Sequence, residues 1–298
     1  MKPKALRADF LLLLASAIWG FAFVAQRVGM DHMGPFAFNG ARFALGSLVL
    51  LPLMVRQWRT NTIPTCPPKT LYLGAALTSI LLFLGATFQQ IGMVSTEAGK
   101  AGFITGLYVI LVPILGLFVG ERVQWGTWLG AVLAVLGLYF LSVRGTFAIA
   151  RGDFFVLLSA LVWGFHVRTI GAYTRRIGAL RLSLIQFATT AVLSLVIAFL
   201  FEDVDIPAWR GALIPILYAG GLSVGIGYTL QVVAQRDAPS AHAAIILSLE
   251  SVFALVGGWL LLGETLTPRR ILGCVLMLAG MWVSQLTRVK RVQVVVEN

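Results

Sequence analysis

Two segments of this chain, 144 positions apart, carry nearly the same sequence. Residues 9–21 read DFLLLLASAIWGF, and residues 153–165 read DFFVLLSALVWGF. The similarity resumes later with a slip of one position, where Gly120-Glu121 aligns with Gly263-Glu264. A duplication of this length predicts that the chain folds as two copies of one structural unit.

The composition places both copies in a membrane. Hydrophobic residues make up 58% of the chain and charged residues only 12%, whereas a typical soluble domain carries about 25% charged residues. A hydrocarbon core about 30 Å thick needs about 20 apolar residues per helix. Ten stretches meet this need: 8–28, 36–55, 70–92, 97–119, 125–143, 153–174, 180–201, 211–234, 240–262 and 270–287. Their apolar runs are continuous rather than alternating, which favours an all-α integral membrane protein over a barrel.

Five crossings per copy is an odd number, so the second copy enters the membrane from the opposite side. We therefore expect two inverted five-helix repeats, residues 1–146 and 147–298, related by a pseudo-two-fold axis in the membrane plane. Repeats of this kind place a substrate site near the bilayer midplane, between the two copies. Alternating access follows, because exchanging the conformations of the two copies moves the opening from one side to the other.

The basic residues indicate the orientation of the chain. With the amino terminus inside, the inside segments carry about twice as many Lys and Arg residues as the outside segments. Such a bias places both termini in the cytoplasm of a protein of the inner (plasma) membrane. The net charge of +11 is explained by these membrane-flanking residues, and no nucleic-acid partner is expected.

The chain resembles the drug/metabolite transporter superfamily, and its EamA-type branch in particular. The resemblance rests on Trp19-Gly20 and Trp163-Gly164, on Arg42-Phe43, and on two longer patterns. These patterns are GFITGLYVILVPILGLFVGE (102–121) and HAAIILSLESVFALVGGWLLLGE (242–264). The resemblance implies a ten-helix inverted-repeat carrier of the inner membrane, often an exporter of amino acids or other small metabolites. The family pattern has Glu-Pro in the ninth helix where this chain has Glu250-Ser251.

Two charged residues inside the predicted helices are candidates for function, because burying charge in a bilayer is costly. Arg42 lies about seven residues into the second helix, roughly 10 Å deep at about 1.5 Å per residue. It either binds a substrate carboxylate or has a structural role, extending to the outer headgroups or tying loops together, and its repeat partner is the neutral Gln186.

Glu250 lies near the midplane of the ninth helix, with His242 on roughly the same face. It either binds an amine or a proton, or is a protonated or hydrogen-bonded packing residue.

Amides and aromatic rings complete the candidate site. Amides can bond a zwitterion without the cost of a buried charge, although bonding between helices explains each one alone as well. The matched tryptophans fall at mid-membrane depth rather than in an interfacial belt, and His166 follows Trp163 by three residues. The candidate substrate-binding residues are Trp19, Arg42, Gln89, Tyr108, Trp163, His166, Gln186, Tyr228, Gln231 and Glu250.

Three further expectations concern helix structure. Glycines at matched spacings predict close helix packing, and they include Gly130–Gly137, Gly273–Gly280 and Gly221–Gly225. Pro113 removes one hydrogen bond within the fourth helix, so a kink is expected there. At the start of that helix we expect an ion pair between Glu97 and Lys100.

Transport is the leading function class. The chain has no GxxxxGK[ST] loop for ATP, so a carrier of this sequence draws on a gradient, exchange or downhill flow. The lack of an HExxH sequence argues against an intramembrane metalloenzyme, and no cofactor or metal is expected. A non-transporting scaffold or receptor stays open as an alternative. The expected partners are a small-molecule substrate, a coupling proton and the lipid bilayer, and a homodimer also stays open.

Overall fold

The computed structural model describes residues 3–60, 62–96, 98–118, 120, 123–142, 150–203, 205–262 and 267–294 of the chain. Its regular elements within these ranges are all helices. The first seven are α1 (Pro3–Gly29), α2 (Pro35–Arg59), α3 (Pro68–Met93), α4 (Ala98–Gly106), α5 (Tyr108–Phe118), α6 (Trp125–Ser142) and α7 (Arg151–Ile177). The others are α8 (Ala179–Phe201), α9 (Ile206–Gly211), α10 (Leu213–Ile216), a π-helix (Leu217–Tyr228), α11 (Thr229–Ala234), α12 (Ser240–Leu247), α13 (Glu250–Leu262) and α14 (Pro268–Val294).

The predicted all-α membrane fold is confirmed. Within the described residues, eight helices are long and apolar enough to cross a bilayer. They are Lys4–Gly29, Pro35–Arg59, Pro68–Met93, Ala98–Phe118, Arg151–Ile177, Ala179–Phe201, Leu213–Ala234 and Ser240–Leu261. The predicted spans 125–143 and 270–287 correspond to α6, whose apolar part is shorter, and to α14, and both stand outside that set. The count of ten crossings therefore stays a prediction.

Proline and glycine set several of the helix boundaries. Pro35 and Pro68 open α2 and α3, where a missing N–H costs nothing because the first turn leaves it without an intrahelical partner. Gly178 alone separates α7 from α8 and has φ of 94°. A side chain there would be strained by this backbone conformation, so the reversal between these two long helices requires glycine.

Helices of the two predicted repeats pack against one another in matched sets. The helix α2 packs on α8, and α6 packs on α14. The helix α1 packs on the π-helix, and α7 packs on α3. If the two predicted repeats are exchanged, the pairs α2–α8 and α6–α14 map onto themselves. The pair of α1 with the π-helix maps onto the pair of α7 with α3. The elements that converge at the centre of the bundle therefore come from both halves of the chain.

The fourth and ninth predicted spans are each interrupted near the middle of their length. One breaks at Leu107, between α4 and α5, and the other at Ser248 and Leu249, between α12 and α13. The chain turns more tightly at both places, with Leu107 N donating to Ile104 O (3.2 Å) and Leu249 N donating to Ile246 O (3.1 Å). Pro113 lies inside α5, six residues after the break at Leu107, and the kink expected at Pro113 stays a prediction. The ninth span breaks without any proline, so the interruption has another cause.

A π-helix in the eighth span widens the backbone beside the centre of the bundle. The segment Leu217–Tyr228 carries four glycines and ends at Tyr228. Its interior carbonyl at Ser223 accepts a hydrogen bond from the indole Nε1 of Trp19 at 3.2 Å. Segments of this kind are frequent at functional sites, and here the segment ties α1 to the eighth span.

The amino-terminal end of α2 is held by a carboxylate from the other half of the chain. Glu202, directly after α8, accepts hydrogen bonds from the backbone nitrogens of Phe36 (2.9 Å) and Ala37 (2.7 Å). A carboxylate at a helix amino terminus satisfies unpaired N–H groups and complements the helix dipole. Gly34 leaves room for it, since a Cβ there would lie 2.3 Å from the carboxyl carbon. Glu202 thus links α2 and α8 at one surface.

Glycines bring α6 and α14 into backbone contact. A Cβ added at Gly130 would lie 2.7 Å from the carbonyl oxygen of Gly280, and a Cβ at Gly280 would lie 2.6 Å from that of Gly130. Gly137 approaches the carbonyl of Gly273 in the same way, at 2.6 Å. The expectation for Gly221 was wrong, because a Cβ there meets no atom within 4 Å.

We expect Gly280→Ala to lower the free energy of unfolding by about 1–3 kcal/mol, the usual cost of overpacking a close contact. The added methyl group collides with a backbone oxygen, so α6 and α14 must separate. Melting temperature in detergent measures the effect. Gly221→Ala is the matched control and should leave the melting temperature unchanged or slightly raised. Equal stability of the two variants would contradict the packing argument.

Candidate functional site

A cavity lies where the interrupted spans, the π-helix and the first helix of each repeat meet. Its free volume is about 40 Å³, room for about three water molecules. Residues from both halves of the chain form its wall. They are Trp19, Phe23, Gln26, Arg42, Gln89, Thr105, Tyr108, Trp163, Val167, Ser223, Tyr228, Gln231 and Glu250.

Eight of the ten predicted site residues line this cavity, and the other two lie directly behind it. The wall includes all of them except His166 and Gln186. His166 Nε2 and Gln186 Oε1 are hydrogen-bonded at 2.9 Å. The imidazole packs edge-on against Trp163, with ring centroids 5.4 Å apart. This pair therefore supports the aromatic wall from outside and does not face the cavity.

Tyr228 is the centre of the aromatic wall. Its ring centroid lies 4.5 Å from that of Trp19 and 5.9 Å from that of Trp163. The matched tryptophans of the two repeats thus flank one tyrosine supplied by the end of the π-helix. Phe187 packs on Tyr228 from behind, at 5.9 Å. Interlocked rings with these offsets form a rigid apolar surface.

Arg42 is fixed on one side of the cavity. Its Nε donates to Asn39 Oδ1 at 2.9 Å, and Asn39 in turn donates to the carbonyl of Ala86 at 3.2 Å. The guanidinium carbon lies 5.1 Å from the ring centroid of Phe43, within the range of a cation–π contact. These contacts orient the guanidinium and leave its terminal nitrogens for a ligand.

Glu250 opens the half-helix α13, and its side chain is only 4% exposed. Its Oε1 has no hydrogen-bond partner of standard geometry within the described part of the chain, and the hydroxyl of Tyr108 lies beside this carboxyl group. Thr105 Oγ1 and Gln231 Oε1, also in the wall, are unpartnered in the same sense. Buried polar groups are normally hydrogen-bonded. Three unsatisfied polar groups around one cavity therefore indicate a place for a polar ligand.

The two charged side chains of the wall do not pair with each other among the described residues. Both lie within electrostatic range of Tyr228 and line the same cavity. A ligand in the cavity would therefore meet both a cation and a carboxyl group. The cavity thus has a polar axis as well as an aromatic wall.

A chain of amides forms a further part of the wall. Trp163 Nε1 donates to Gln89 Oε1 at 2.8 Å, and Gln89 Nε2 approaches Gln26 Oε1 at 3.4 Å. The sequence analysis missed Gln26, although it lies seven residues after Trp19 and so shares its helix face. Thr105 was missed too, three residues before Tyr108. For Phe23, Val167 and Ser223, the sequence analysis found no feature that indicates a place in the cavity wall.

His242 lies away from this cavity, although it was predicted to share a face with Glu250. The break at Ser248 and Leu249 separates the two residues and changes the helix phase between them. His242 instead bonds Asp9, with Nε2 and Oδ1 2.9 Å apart. Gln235 and Gln90 are not part of the wall, and each donates to the backbone carbonyl of a wall residue, Val167 and Gln26 respectively.

Comparisons with known proteins agree over nearly the whole chain. The sequence model of the EamA-like transporter family matches residues 6–143 and again residues 150–285. An uncharacterized transporter of Archaeoglobus fulgidus is 34% identical over 276 residues, covering 92% of this chain and 84% of that protein. The threonine/homoserine exporter RhtA of Escherichia coli is 26% identical over 294 residues, covering 96% of this chain and 93% of RhtA.

A solved crystal structure shares the fold. Its chain superposes with a TM-score of 0.76 at 18% sequence identity, covering 94% of this chain and 96% of its own length. At this level of identity the likeness concerns the fold alone.

Proposed function

Because the chain belongs to the EamA-like transporter family, we propose that it exports a neutral amino acid across the inner membrane. In this proposal the two five-helix halves, residues 1–146 and 147–298, alternate in conformation, with both termini in the cytoplasm. The observation that carries the substrate class is the polar axis of the cavity, from Arg42 to Glu250. The threonine/homoserine exporter among the relatives supports the same class.

A zwitterionic amino acid matches both ends of this axis. Its carboxylate would accept hydrogen bonds from the terminal nitrogens of Arg42, the geometry that a guanidinium favours. Its ammonium would donate to Glu250, whose Oε1 has no hydrogen-bond partner of standard geometry among the described residues. Each charge of the substrate would then be neutralised inside the membrane, which removes most of the cost of carrying it through a low-dielectric region.

The side chain of the substrate would lie against the rings of Trp19 and Trp163, beside the amides of Gln89 and Gln231. Flat rings contribute apolar contact, and an ammonium near a ring face gains a cation–π attraction. Gln231 Oε1 has no partner among the described residues and can accept a hydrogen bond from a hydroxyl group. This combination suits small hydroxylated or apolar side chains alike.

The small free volume of the cavity supports a contracted conformation. About 40 Å³ holds a few water molecules and no amino acid, so the wall must move outward to admit a substrate. A compact centre between two halves is what alternating access requires midway between its two open forms. We assign the structure to a contracted state of the transport cycle.

A proton is the proposed coupling ion. The chain has no ATP-binding loop, and Glu250 is the carboxyl group in the described cavity wall. One carboxyl group that binds either a substrate ammonium or a proton can exchange one for the other. Such an exchange would couple outward movement of the amino acid to inward movement of a proton.

Efflux from proteoliposomes tests this function. Vesicles loaded with labelled threonine, homoserine, serine or valine should release the amino acid faster than protein-free vesicles. An inward proton gradient should accelerate the release further. Correctly folded protein that releases none of a full set of amino acids would overturn the proposed substrate class.

A further inference from the structure

Two buried carboxylates occupy equivalent positions in the two repeats, towards opposite surfaces of the bundle. Asp9 in α1 is 5% exposed, and Asp153 in α7 is 4% exposed. Each precedes the matched tryptophan of its own helix, Trp19 or Trp163, by ten residues, which is about 15 Å of helix. The cavity wall contains both tryptophans. The two carboxylates therefore lie on either side of the cavity, roughly the same distance from it.

Asp9 connects the first repeat to the second. Its Oδ1 lies 2.9 Å from Nε2 of His242 in α12, and the other ring nitrogen lies 2.9 Å from Oγ of Ser284 in α14. The three side chains are almost fully buried. In the neutral tautomer that this geometry favours, Nε2–H donates to the carboxylate and Nδ1 accepts from the serine hydroxyl.

Asp153 makes the corresponding connection at the other surface, with different chemistry. Its Oδ2 accepts from Nζ of Lys100 in α4 at 2.6 Å, and its Oδ1 accepts from Oγ1 of Thr96 at 3.2 Å. The backbone nitrogen of Ala150 also donates to Oδ2, at 2.8 Å. Lys100 had been expected to pair with Glu97, which lies outside the described residues. Asp153 in the second half thus holds the start of the fourth span of the first half.

We propose that Asp9–His242–Ser284 and Asp153–Lys100–Thr96 are the two latches of the transport cycle. Each latch joins the first helix of one half to the fourth span of the other half and closes the path between the cavity and one surface. The proposal rests on the alternating-access function proposed above and adds its positioning residues. In the structure both latches are closed and the cavity between them is small, as a contracted state requires.

Electrostatics explains why the latches would open in turn. A carboxylate inside a bilayer needs a partner, because an unpaired buried charge is costly. Opening a latch is tolerable once water reaches the carboxylate, and water enters from the surface that the opening exposes. Opening both together would remove the partners that two buried carboxylates have in the other half and would separate the halves at both surfaces. The closed latch on one side therefore favours movement at the other side.

Clefts reach one of the latches from the surface. A cleft of about 260 Å³ is lined by Ala8 and Leu11, the neighbours of Asp9 on α1, together with Arg7 and Arg236. A second, of about 370 Å³, is lined by Ser240, two residues before His242. Both lie at the surface predicted to be cytoplasmic. Solvent thus comes within a few residues of Asp9 and His242, while the aromatic cavity lies beyond them.

Labelling a cysteine in the cavity from each side tests the latches without any substrate. Cys66 and Cys274, which are both free thiols, are first replaced by serine, and Thr105→Cys places a reporter in the cavity wall. A membrane-impermeant thiol reagent is then applied to right-side-out and to inverted vesicles. Asp153→Asn should raise the labelling rate at least about tenfold from the face where Asp153 lies, the factor for one charge-assisted hydrogen bond. Asp9→Asn should raise it from the opposite face.

The matched control is Asp31→Asn, which breaks the exposed pair between Arg27 and Asp31 and should leave the ratio between the two faces unchanged. The swap of Lys100→Asp with Asp153→Lys should restore the wild-type ratio. If Asp153→Asn does not fold, Lys100→Gln removes the same contact. Equal acceleration from both faces, or none from either, would overturn the proposal. Side-specific labelling in a protein that moves no amino acid would overturn only the proposed substrate.

Discussion

A Glu250→Gln variant is expected to export its amino acid about 10- to 150-fold more slowly than the wild-type protein, the factor for losing one hydrogen bond to a charged group. Glutamine fills the same space, so the shape of the cavity is kept. Its amide cannot neutralise the substrate ammonium, which would then enter the membrane without a counter-charge. Initial efflux rates from proteoliposomes, measured at several pH values, give the effect directly.

The pH profile separates two roles of the carboxyl group. If Glu250 exchanges a substrate ammonium for a proton, the wild-type rate should follow the imposed proton gradient and the Glu250→Gln rate should not. A 2-hydroxy acid lacks the ammonium, so its efflux rate should be the same in the variant as in the wild-type protein. Glu202→Gln is the matched control, because it makes the same change at the amino-terminal end of α2, away from the cavity. An unchanged rate and an unchanged pH profile in Glu250→Gln would remove this residue from the mechanism.

Much of this cavity could be predicted because membrane helices leave few options. The duplicated DF…WGF segment set the depth of Trp19 and Trp163, and both tryptophans line the cavity. Polar residues inside apolar stretches must face the protein interior, which brought Arg42, Gln89, Gln231 and Glu250 towards the same region. Depth along a helix and polarity are local properties of the sequence, and together they locate a residue well.

Contacts that depend on helix breaks could not be predicted in the same way. No proline in the sequence predicts the interruption at Ser248 and Leu249. Because the helix is interrupted there, the regular helical spacing no longer relates residues before it to residues after it. His242 was therefore placed on the face of Glu250 and lies instead against Asp9. The bond of Lys100 to Asp153, 53 positions away, was likewise not predicted. Such choices depend on how two helices pack, which no single stretch of sequence contains.

The departures from repeat symmetry gain a physical meaning from the structure. Arg42 and Gln186 are repeat partners, and so are Leu107 and Glu250. Arg42 and Glu250 line the cavity, whereas Gln186 is bonded to His166 behind the aromatic wall. A symmetric pair of halves would offer a substrate the same groups at both ends. The substitutions at these two pairs give the cavity its polar axis, and hence a preferred orientation for a zwitterion.

An Arg42→Gln variant should also lose about 10- to 150-fold in export of the amino acid, because its carboxylate loses a charged hydrogen-bond donor. The effect on selectivity is more informative than the rate. Wild-type protein should prefer the amino acid over its amide, which has the same ammonium and no carboxylate. The variant should lose most of that preference, since the amide never used Arg42. Competition between the two compounds in one efflux assay measures the preference directly.

This ratio distinguishes the two roles of Arg42 that the sequence left open. If the guanidinium only stabilises the bundle through Asn39 and Phe43, its removal lowers transport of the acid and the amide equally, and the ratio is kept. Arg42→Lys should keep part of the preference, because an ammonium supplies the charge without the planar pair of donors. Arg27→Gln, at an exposed pair, should change neither rate nor ratio. A selectivity lost in Arg42→Gln and partly kept in Arg42→Lys would therefore assign the carboxylate end of the axis to Arg42.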